Sequence, residues 1–569
     1  MSKLYPGNLL IAFLSSALLI FFSIFILNPV WQIHDDVYYA MIADGYGIAR
    51  NSSILIPYMH PIVGHFIGFL RSLIGDFSYA IYLYLCMYLG CVAIIYRCVT
   101  LAISKTTLLL IIIGITFLLL LPQYTTVSGF LVSSAAVLWV RNNGEPINFG
   151  ELFFGAFLIF LAAIFRIEMA ALTVICLASI VIYNNRQSGH RAWSNEWRIA
   201  TSILLIFLAV HFSNKFLIHE EMEKFYALNN ARLPLVDYGY GKIIRTINLP
   251  LPDGLSANDV DLINSWFFAE REITKPNLFK DATNWLSLKL KLKNLYWNLK
   301  SYLPSIPSSI YFWLLACVLS LLPLSKNWKP IVFSLGLLTL AWLAIAILKK
   351  PFPERIFLGI FIGFFILQLV SVGKLSIQRF SFKGFTEELM RFLHLRKIDF
   401  FLLIMGNKLN SELEKARQTF FTIFIIILLI PACWLIANDR ANLKYESNKI
   451  KRSVEVFDVE QTYYVWVGGF PLRAAFRPFD VPSIIPSLVF LGSMYDVPVA
   501  VEREKSSSCG GFIKCLVSGK EIKLLTDSEK NIYLLNTLFL ERYNKILLIK
   551  NKIITDSFTI FYLETTDNF

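Results

Sequence analysis

The sequence predicts a mainly α-helical, polytopic membrane protein with a small C-terminal α/β domain outside the bilayer. Three observations predict this. Of 569 residues, 56% are hydrophobic and only 16% charged, where a soluble globular chain carries about a quarter charged residues. Apolar runs recur from Leu9 to Ile436, and several approach or exceed the ~18 residues that carry a helix across ~30 Å of hydrocarbon. Beyond Ile436 these runs stop, and short strand-like stretches replace them. The aromatic share of 15% suits lipid-facing helices and interfacial belts. The formal charge of +13 would point to nucleic acid in a soluble chain. In a membrane chain, Lys and Arg collect in cytoplasmic loops, so no nucleic-acid partner is expected.

Met1–Asn8 is a short polar cap, and Leu9–Leu27 is the first span. This run lacks a small-residue cleavage site and is followed by Asn28-Pro29-Val30-Trp31, so it reads as a retained anchor rather than a signal peptide. An outer loop, 28–76, comes next. Its first part is acidic and rich in Gly, Tyr and Asn, and Pro61–Ile74 is amphipathic, as in a helix lying in the interface. Span two covers Ala80–Val99. Span three starts at Lys105 and runs to Leu121, where Pro122-Gln123-Tyr124-Thr125-Thr126 breaks it. Span four ends at Arg141, and span five is Phe149–Phe165. Arg166-Ile167-Glu168 interrupts the hydrophobicity before span six, which closes at Tyr183. The loop Asn184–Arg198 is basic, hence cytoplasmic, and span seven is Ile199–Ile218.

The polar segment 219–307 is too long for a linker and shows helical spacing over Asp259–Glu272 and Trp285–Lys300. Spans eight to ten are Ser309–Leu322, Lys329–Leu348 and Ile356–Val372. The stretch Gly373–Arg417 is the strongest cytoplasmic marker, and span eleven is Thr419–Ile436. Residues 1–436 thus form a transmembrane unit and 437–569 a soluble tail, with strands expected at Tyr463–Gly468, Lys545–Lys550 and Phe558–Leu563. With the amino terminus inside, about eleven spans place every strongly basic short loop in the cytoplasm and the tail outside a plasma (inner) membrane.

The same count puts the notable polar groups on the outer side. Asp35 and Asp36 follow span one directly, and no Lys or Arg lies between Pro29 and Ile48. Carboxylates this close to hydrocarbon are costly unless they line a wet or protein-walled cavity. A carboxylate there is suited to general-base work on an acceptor hydroxyl. Adjacent acids also suit a divalent cation, Mg or Mn, held through oxygen, but no second acidic motif accompanies them. His34, His60 and His65 are placed either to assist the acids or to make structural hydrogen bonds. Tyr38 and Tyr39 either line the cavity or belong to an interfacial belt. Arg355, in the proline-framed stretch Lys349–Arg355, is formed for a bidentate grip on phosphate, or is a snorkelling terminal arginine. Arg166 and Glu168 either contact substrate or pair across two spans. Six cysteines, Cys86, Cys91, Cys98, Cys176, Cys317 and Cys433, fall in apolar runs as small hydrophobes. Cys509 and Cys515 lie in the tail with no His or second Cys pair beside them, which argues against zinc; in an exported tail they form a disulfide.

These residues resemble the glycosyltransferase C (GT-C) superfamily of integral membrane sugar transferases, whose members include protein O-mannosyltransferases and aminoarabinose transferases. The resemblance lies in span one followed by His34-Asp35-Asp36-Val37-Tyr38, in the helix with His60-Pro61 and His65, and in the long outer segment and outer tail. Ile42–Tyr46 and Val465–Pro471 match a bacterial branch carrying an Asp-Asp pair. It implies transfer of a sugar from a polyprenyl-phosphate-linked donor to an outer acceptor: a surface glycan, a lipid or a protein. Asp35 or Asp36 would be the base and Arg355, then Arg166, the phosphate holder. The segment Asn258–Asp261 with Trp266 either contacts substrate or is a packed helix face. The competing reading is a transporter, flippase or polymerase of lipid-linked glycans. Transporters more often bury ionisable groups mid-span in broken, repeated helices, whereas here the polar groups gather at one interface. A third reading is a scaffold that presents the tail.

Overall fold

A computed structural model describes residues 6–140, 147–186, 192–236, 254–275, 310–321, 328–348, 354–373, 411–481, 486–506 and 509–568, with short pieces between 241 and 251. The chain is mostly helical with a small C-terminal sheet. The helices are α1 (Pro6–Phe25), α2 (His34–Asp44), α3 (Pro61–Ile74), α4 (Ser78–Thr100), α5 (Lys105–Leu120), α6 (Tyr124–Trp139), α7 (Phe149–Phe165), α8 (Ile167–Arg186), α9 (Ala192–Leu217) and α10 (Glu220–Val236). Further helices span Ala257–Asn264, Ile310–Leu321, Trp328–Leu348, Glu354–Gly373 and Ser411–Ser453.

Among the described residues, four helical stretches are long and apolar enough to cross a membrane: Gly7–Phe25, Ser78–Thr100, Glu196–Leu217 and Ile425–Val456. Several present apolar side chains outward. Leu10, Leu14, Leu18, Phe21 and Phe25 of α1 are exposed, as are Leu204, Leu205, Leu208, Phe212 and Phe216 of α9. Water would penalise such stripes, and lipid does not. The chain therefore associates with a bilayer.

The bundle is organised around α6, every residue of which is buried. Its sequence is rich in small side chains (Ser128, Gly129, Ser133, Ser134, Ala135, Ala136), which let neighbouring backbones come close. It packs on α4, α7, α8 and the Glu354–Gly373 helix. At that last crossing a Cβ on Gly359 would lie 3.0 Å from the Thr126 carbonyl oxygen and 3.1 Å from Gly129 Cα. Backbone cannot step aside as a flexible side chain can. Gly359→Val is expected to cost more than the about 1–3 kcal/mol of ordinary overpacking, read as loss of the monodisperse peak after solubilisation. Gly336→Ala, in open space, leaves that peak unchanged.

Alternate helix ends meet on one face of the bundle. Val30, after α1, donates its N–H to Leu120 O at the end of α5 (3.1 Å), and Gln32 donates to Pro122 O before α6 (3.4 Å). His60 donates to Ile164 O at the end of α7 (2.9 Å). Ser78, at the start of α4, donates its N–H to Asp44 Oδ1 (3.1 Å).

Two expectations are corrected. The stretch after span one is not a plain loop: residues 34–44 form α2, closed by Gly45 at φ 74. There a Cβ would lie 2.4 Å from Ser52 N. The stretch Asp259–Glu272 is helical only to Asn264, because Trp266 turns the chain with φ 60. The segment Trp285–Lys300 lies largely outside the described residues. The Ser411–Ser453 helix runs unbroken through position 437, so the passage into the tail is a helix rather than a linker.

The tail is a five-stranded mixed sheet of order β2-β1-β3-β5-β4. Its strands are β1 (Thr462–Val465), β2 (Ser487–Phe490), β3 (Ile522–Leu525), β4 (Lys545–Ile554) and β5 (Thr559–Asp567). Strands β2, β1 and β3 run parallel, while β5 is antiparallel to both β3 and β4. Cys509 and Cys515 are joined by a disulfide with Cα atoms 5.2 Å apart. The sheet sits against α2 and the segments flanking it: Leu488 donates to Gly47 O (3.2 Å) and Tyr46 stacks on Phe476 (5.7 Å). Arg473 Nε donates to Trp31 O (2.7 Å), and Arg503 to Ala49 O (3.2 Å).

Candidate active site

Helix α2 begins without a capping side chain, since Ile33 at its N-cap offers none. Asp35 and Asp36 occupy its first turn instead, where carboxylates favour the positive end of the helix dipole. The two acids differ in surroundings. Asp36 is fully buried, and its Oδ1 accepts the Tyr79 hydroxyl (2.7 Å) and the Tyr124 backbone N–H (3.2 Å). One carboxylate thus links the starts of α2, α4 and α6. The next free N–H of α6 is met by Gln123, whose side chain accepts from Thr126 N (2.7 Å). Asp35 is partly exposed.

Tyrosines gather beside the pair. Tyr39 meets Tyr124 edge-on at 5.3 Å and Tyr79 at 6.0 Å, and Trp31 lies 5.6 Å from Tyr79. Tyr58 lies 5.6 Å from Tyr226. Among the described residues, the buried Tyr39 hydroxyl and Trp31 indole N–H have no hydrogen-bond partner. Buried donors of this kind are rare in folded proteins and mark places where a ligand or water completes the bonding.

Arg166 reaches this cluster from the junction of α7 and α8. Its extended backbone (φ −159) at the C-cap of α7 sends the side chain off the helix axis. The guanidinium donates to Tyr124 OH (2.8 Å) and pairs through Nε with Glu168 (3.2 Å). It lies 5.7 Å from the Tyr58 ring and 5.8 Å from the Tyr124 ring. Its side chain is 29% exposed, so an anion can reach it. Tyr124 therefore bridges carboxylate and guanidinium, with its N–H on Asp36 and its hydroxyl on Arg166.

Tyr58 is held in a left-handed conformation (φ 62), a strained state for an aromatic residue and one that collects at functional sites. Its N–H donates to Tyr226 OH (2.7 Å), and its hydroxyl accepts from Asn229 Nδ2. Burial pushes the Tyr58 hydroxyl above its ordinary range, opposed by Arg232 and reinforced by Asp35, and the Tyr226 hydroxyl is pushed up to about 12. Both stay protonated. Asn229 accepts from Arg232 Nε (3.1 Å), and Arg232 also donates to Asp496 (2.8 Å) and Ser493 O (2.8 Å) of the tail. A continuous chain of polar contacts joins the tail to the site.

His60 is the N-cap of α3: its Nδ1 accepts from Ile62 N (3.2 Å) and its Nε2 meets Ser213 Oγ (3.0 Å). Burial lowers its pKa, and its hydrogen bonds are those of the structural reading. Tyr38 is buried against Phe490 of β2, edge-on at 4.9 Å. His34 and His65 are exposed, on the first turn of α2 and on the outer face of α3. Arg355 begins the Glu354–Gly373 helix, but its side chain lies outside the described residues.

The GT-C resemblance raises a divalent cation, Mg or Mn, and the carboxylates it would use are Asp35 and Asp36 in the first turn of α2. Asp36 Oδ1 is already committed to two donors. No group of three His, Cys, Asp or Glu side chains gathers among the described residues, and Mg is commonly held by one or two carboxylates together with substrate phosphates rather than by a protein cage.

Set against family models, curated proteins and solved structures, the chain matches none of them.

Proposed function

We propose that this chain is a multi-pass plasma (inner) membrane glycosyltransferase that moves a sugar from a polyprenyl-phosphate donor to an extracytoplasmic glycan, lipid or protein. The observation that carries the reading is the join through Tyr124 between the carboxylate pair of α2 and the guanidinium of Arg166. About eleven crossings, with the amino terminus in the cytoplasm and the tail outside, agree with alternate helix ends meeting on one face.

Asp35, the more accessible acid, takes the proton of an acceptor hydroxyl as its oxygen attacks the anomeric carbon. The bond from that carbon to the lipid phosphate breaks, and the phosphate leaves with the electron pair. Arg166 holds the departing charge with the Tyr58 and Tyr124 rings beside it, a fixed donor aimed where charge develops. Asp36 is a positioning residue that fixes Tyr79 and Tyr124. A single displacement of this kind inverts the anomeric configuration.

Glycan analysis of a deletion strain tests the reading. One envelope sugar should disappear, the wild-type chain should restore it, and Arg166→Gln should transfer about 10²-fold more slowly. Restoration by Arg166→Gln at the wild-type rate would remove Arg166 from the site. A donor that accumulates unflipped on the inner leaflet, with its sugar still attached, would favour the transporter reading.

A further inference from the structure

A cleft of about 320 Å³ opens between the last turns of the Ser411–Ser453 helix and the turn joining β4 to β5. Asn442, Tyr445, Glu446 and Lys449 form one wall, and Pro471, Asp556 and Ser557 the other. Its volume lies at the lower end of the ~300–1,000 Å³ of small-molecule sites. None of these residues takes part in the site at α2.

The chemistry of the walls narrows the ligand. Tyr445 is 63% exposed, a large fraction for a tyrosine on a helix that borders the tail. Lys449 Nζ lies 4.5 Å from the centre of its ring. An amide, two carboxylates, a hydroxyl and an ammonium surround it, supplying both donors and acceptors at short range. One cation, Lys449, against two anions, Glu446 and Asp556, leaves the cleft at −1. That sign repels phosphate and sulfate groups, which disfavours nucleotides and lipid phosphates. An aromatic face rimmed by mixed donors and acceptors fits a neutral or amino sugar ring, apolar on its faces and hydroxylated at its edge.

Both walls are tied to the segment that leads into α2. Two residues before Asn442, the Arg440 guanidinium donates to Asn28 O at 3.4 Å. Two residues after Pro471, Arg473 Nε donates to Trp31 O at 2.7 Å and its other nitrogen pairs with Asp439 at 3.0 Å. The cleft is thus anchored a few residues from the carboxylate pair, on the side of the tail.

We infer that this cleft is a carbohydrate subsite, holding sugar units of the acceptor glycan beyond the unit that reacts at Asp35. The role of that glycan as acceptor rests on the transferase reading; the binding of sugar does not. The test is direct binding of neutral oligosaccharides to the solubilised full chain by saturation-transfer NMR and calorimetry. The probes are short β-glucan, α-mannan, galactan and chitin fragments, with sulfated dextran as the anionic control. At least one neutral probe should bind, and the sulfated control should not. Tyr445→Ala should weaken the neutral probe about tenfold or more. Tyr445→Phe, which keeps the ring, should retain binding, as should Asp35→Asn. Binding to no neutral probe, or equal binding by Tyr445→Ala, overturns the subsite. Binding retained alongside undiminished glycan output from Asp35→Asn leaves the subsite standing and removes the transferase reading, so the two failures are distinguishable.

Discussion

Asp35→Asn is expected to slow sugar transfer by about 10²–10⁴-fold, the usual worth of a positioned general base. Asn is nearly the same shape and cannot accept the acceptor's proton. Asp35 is partly exposed, so the melting temperature of the solubilised chain should stay close to wild type. Asp36→Asn behaves differently. Its Oδ1 serves the Tyr79 hydroxyl and the Tyr124 N–H from a fully buried position. Loss of the charge weakens two charge-assisted bonds worth about 1.5–3 kcal/mol each, so both the melt and the transfer rate should fall. Measuring rate and melt together on both variants separates the roles. Equal melts for the two variants, with Asp35→Asn fully active, would contradict the assignment.

The second large effect is expected at Arg232, far from Asp35 in sequence. Arg232 is 1% exposed, lies 4.2 Å over the Phe268 ring and donates to Asn229, Asp496 and Ser493 O. Asp496 is also gripped by Arg271. Arg232→Met keeps much of the volume and removes every donor. Breaking one partner out of a buried ion pair costs about 3–5 kcal/mol. The helix α10 should come loose from the tail, and Tyr58 should lose the Asn229 contact that helps hold its strained backbone. The expected results are a lower melt, protease cleavage between α10 and residue 275, and reduced transfer. Arg232→Lys should rescue little, because one ammonium cannot reproduce a planar fork spread over three partners. An unchanged melt and proteolytic pattern would show that the network does not hold the tail in place.

The sequence carried the elements whose ends are locally signalled. Helix α3 begins at Pro61 because proline at the first helical position is pre-set for it and His60 caps the next N–H. Helix α7 begins at Phe149 because the Asn148 side chain accepts Glu151 N at 2.8 Å. Helix α2 is not legible as a helix in the sequence, because Ile33 gives no capping signal and a run of Asp, Tyr and Ala shows no clear apolar period. A missed signal was available at Ser256 and Asp259, whose capping box starts the helix at Ala257. The acid pair and Arg166 were legible as polar groups at the ends of apolar runs. Tyr58, Tyr226 and Asn229 were not, since 168 and 171 residues separate the bonded partners. No local pattern encodes such pairing. His60 shows the converse: a histidine before a proline draws attention as chemistry and proves to be a helix cap.

The most direct test is the fate of the donor's sugar–phosphate bond in proteoliposomes holding the purified chain and a polyprenyl-phosphate donor radiolabelled in the sugar. Cleavage with passage of the label to an added acceptor, lost in Asp35→Asn, is the predicted result. Label that crosses the bilayer still attached to its lipid, equally well with Asn at position 35, would contradict it.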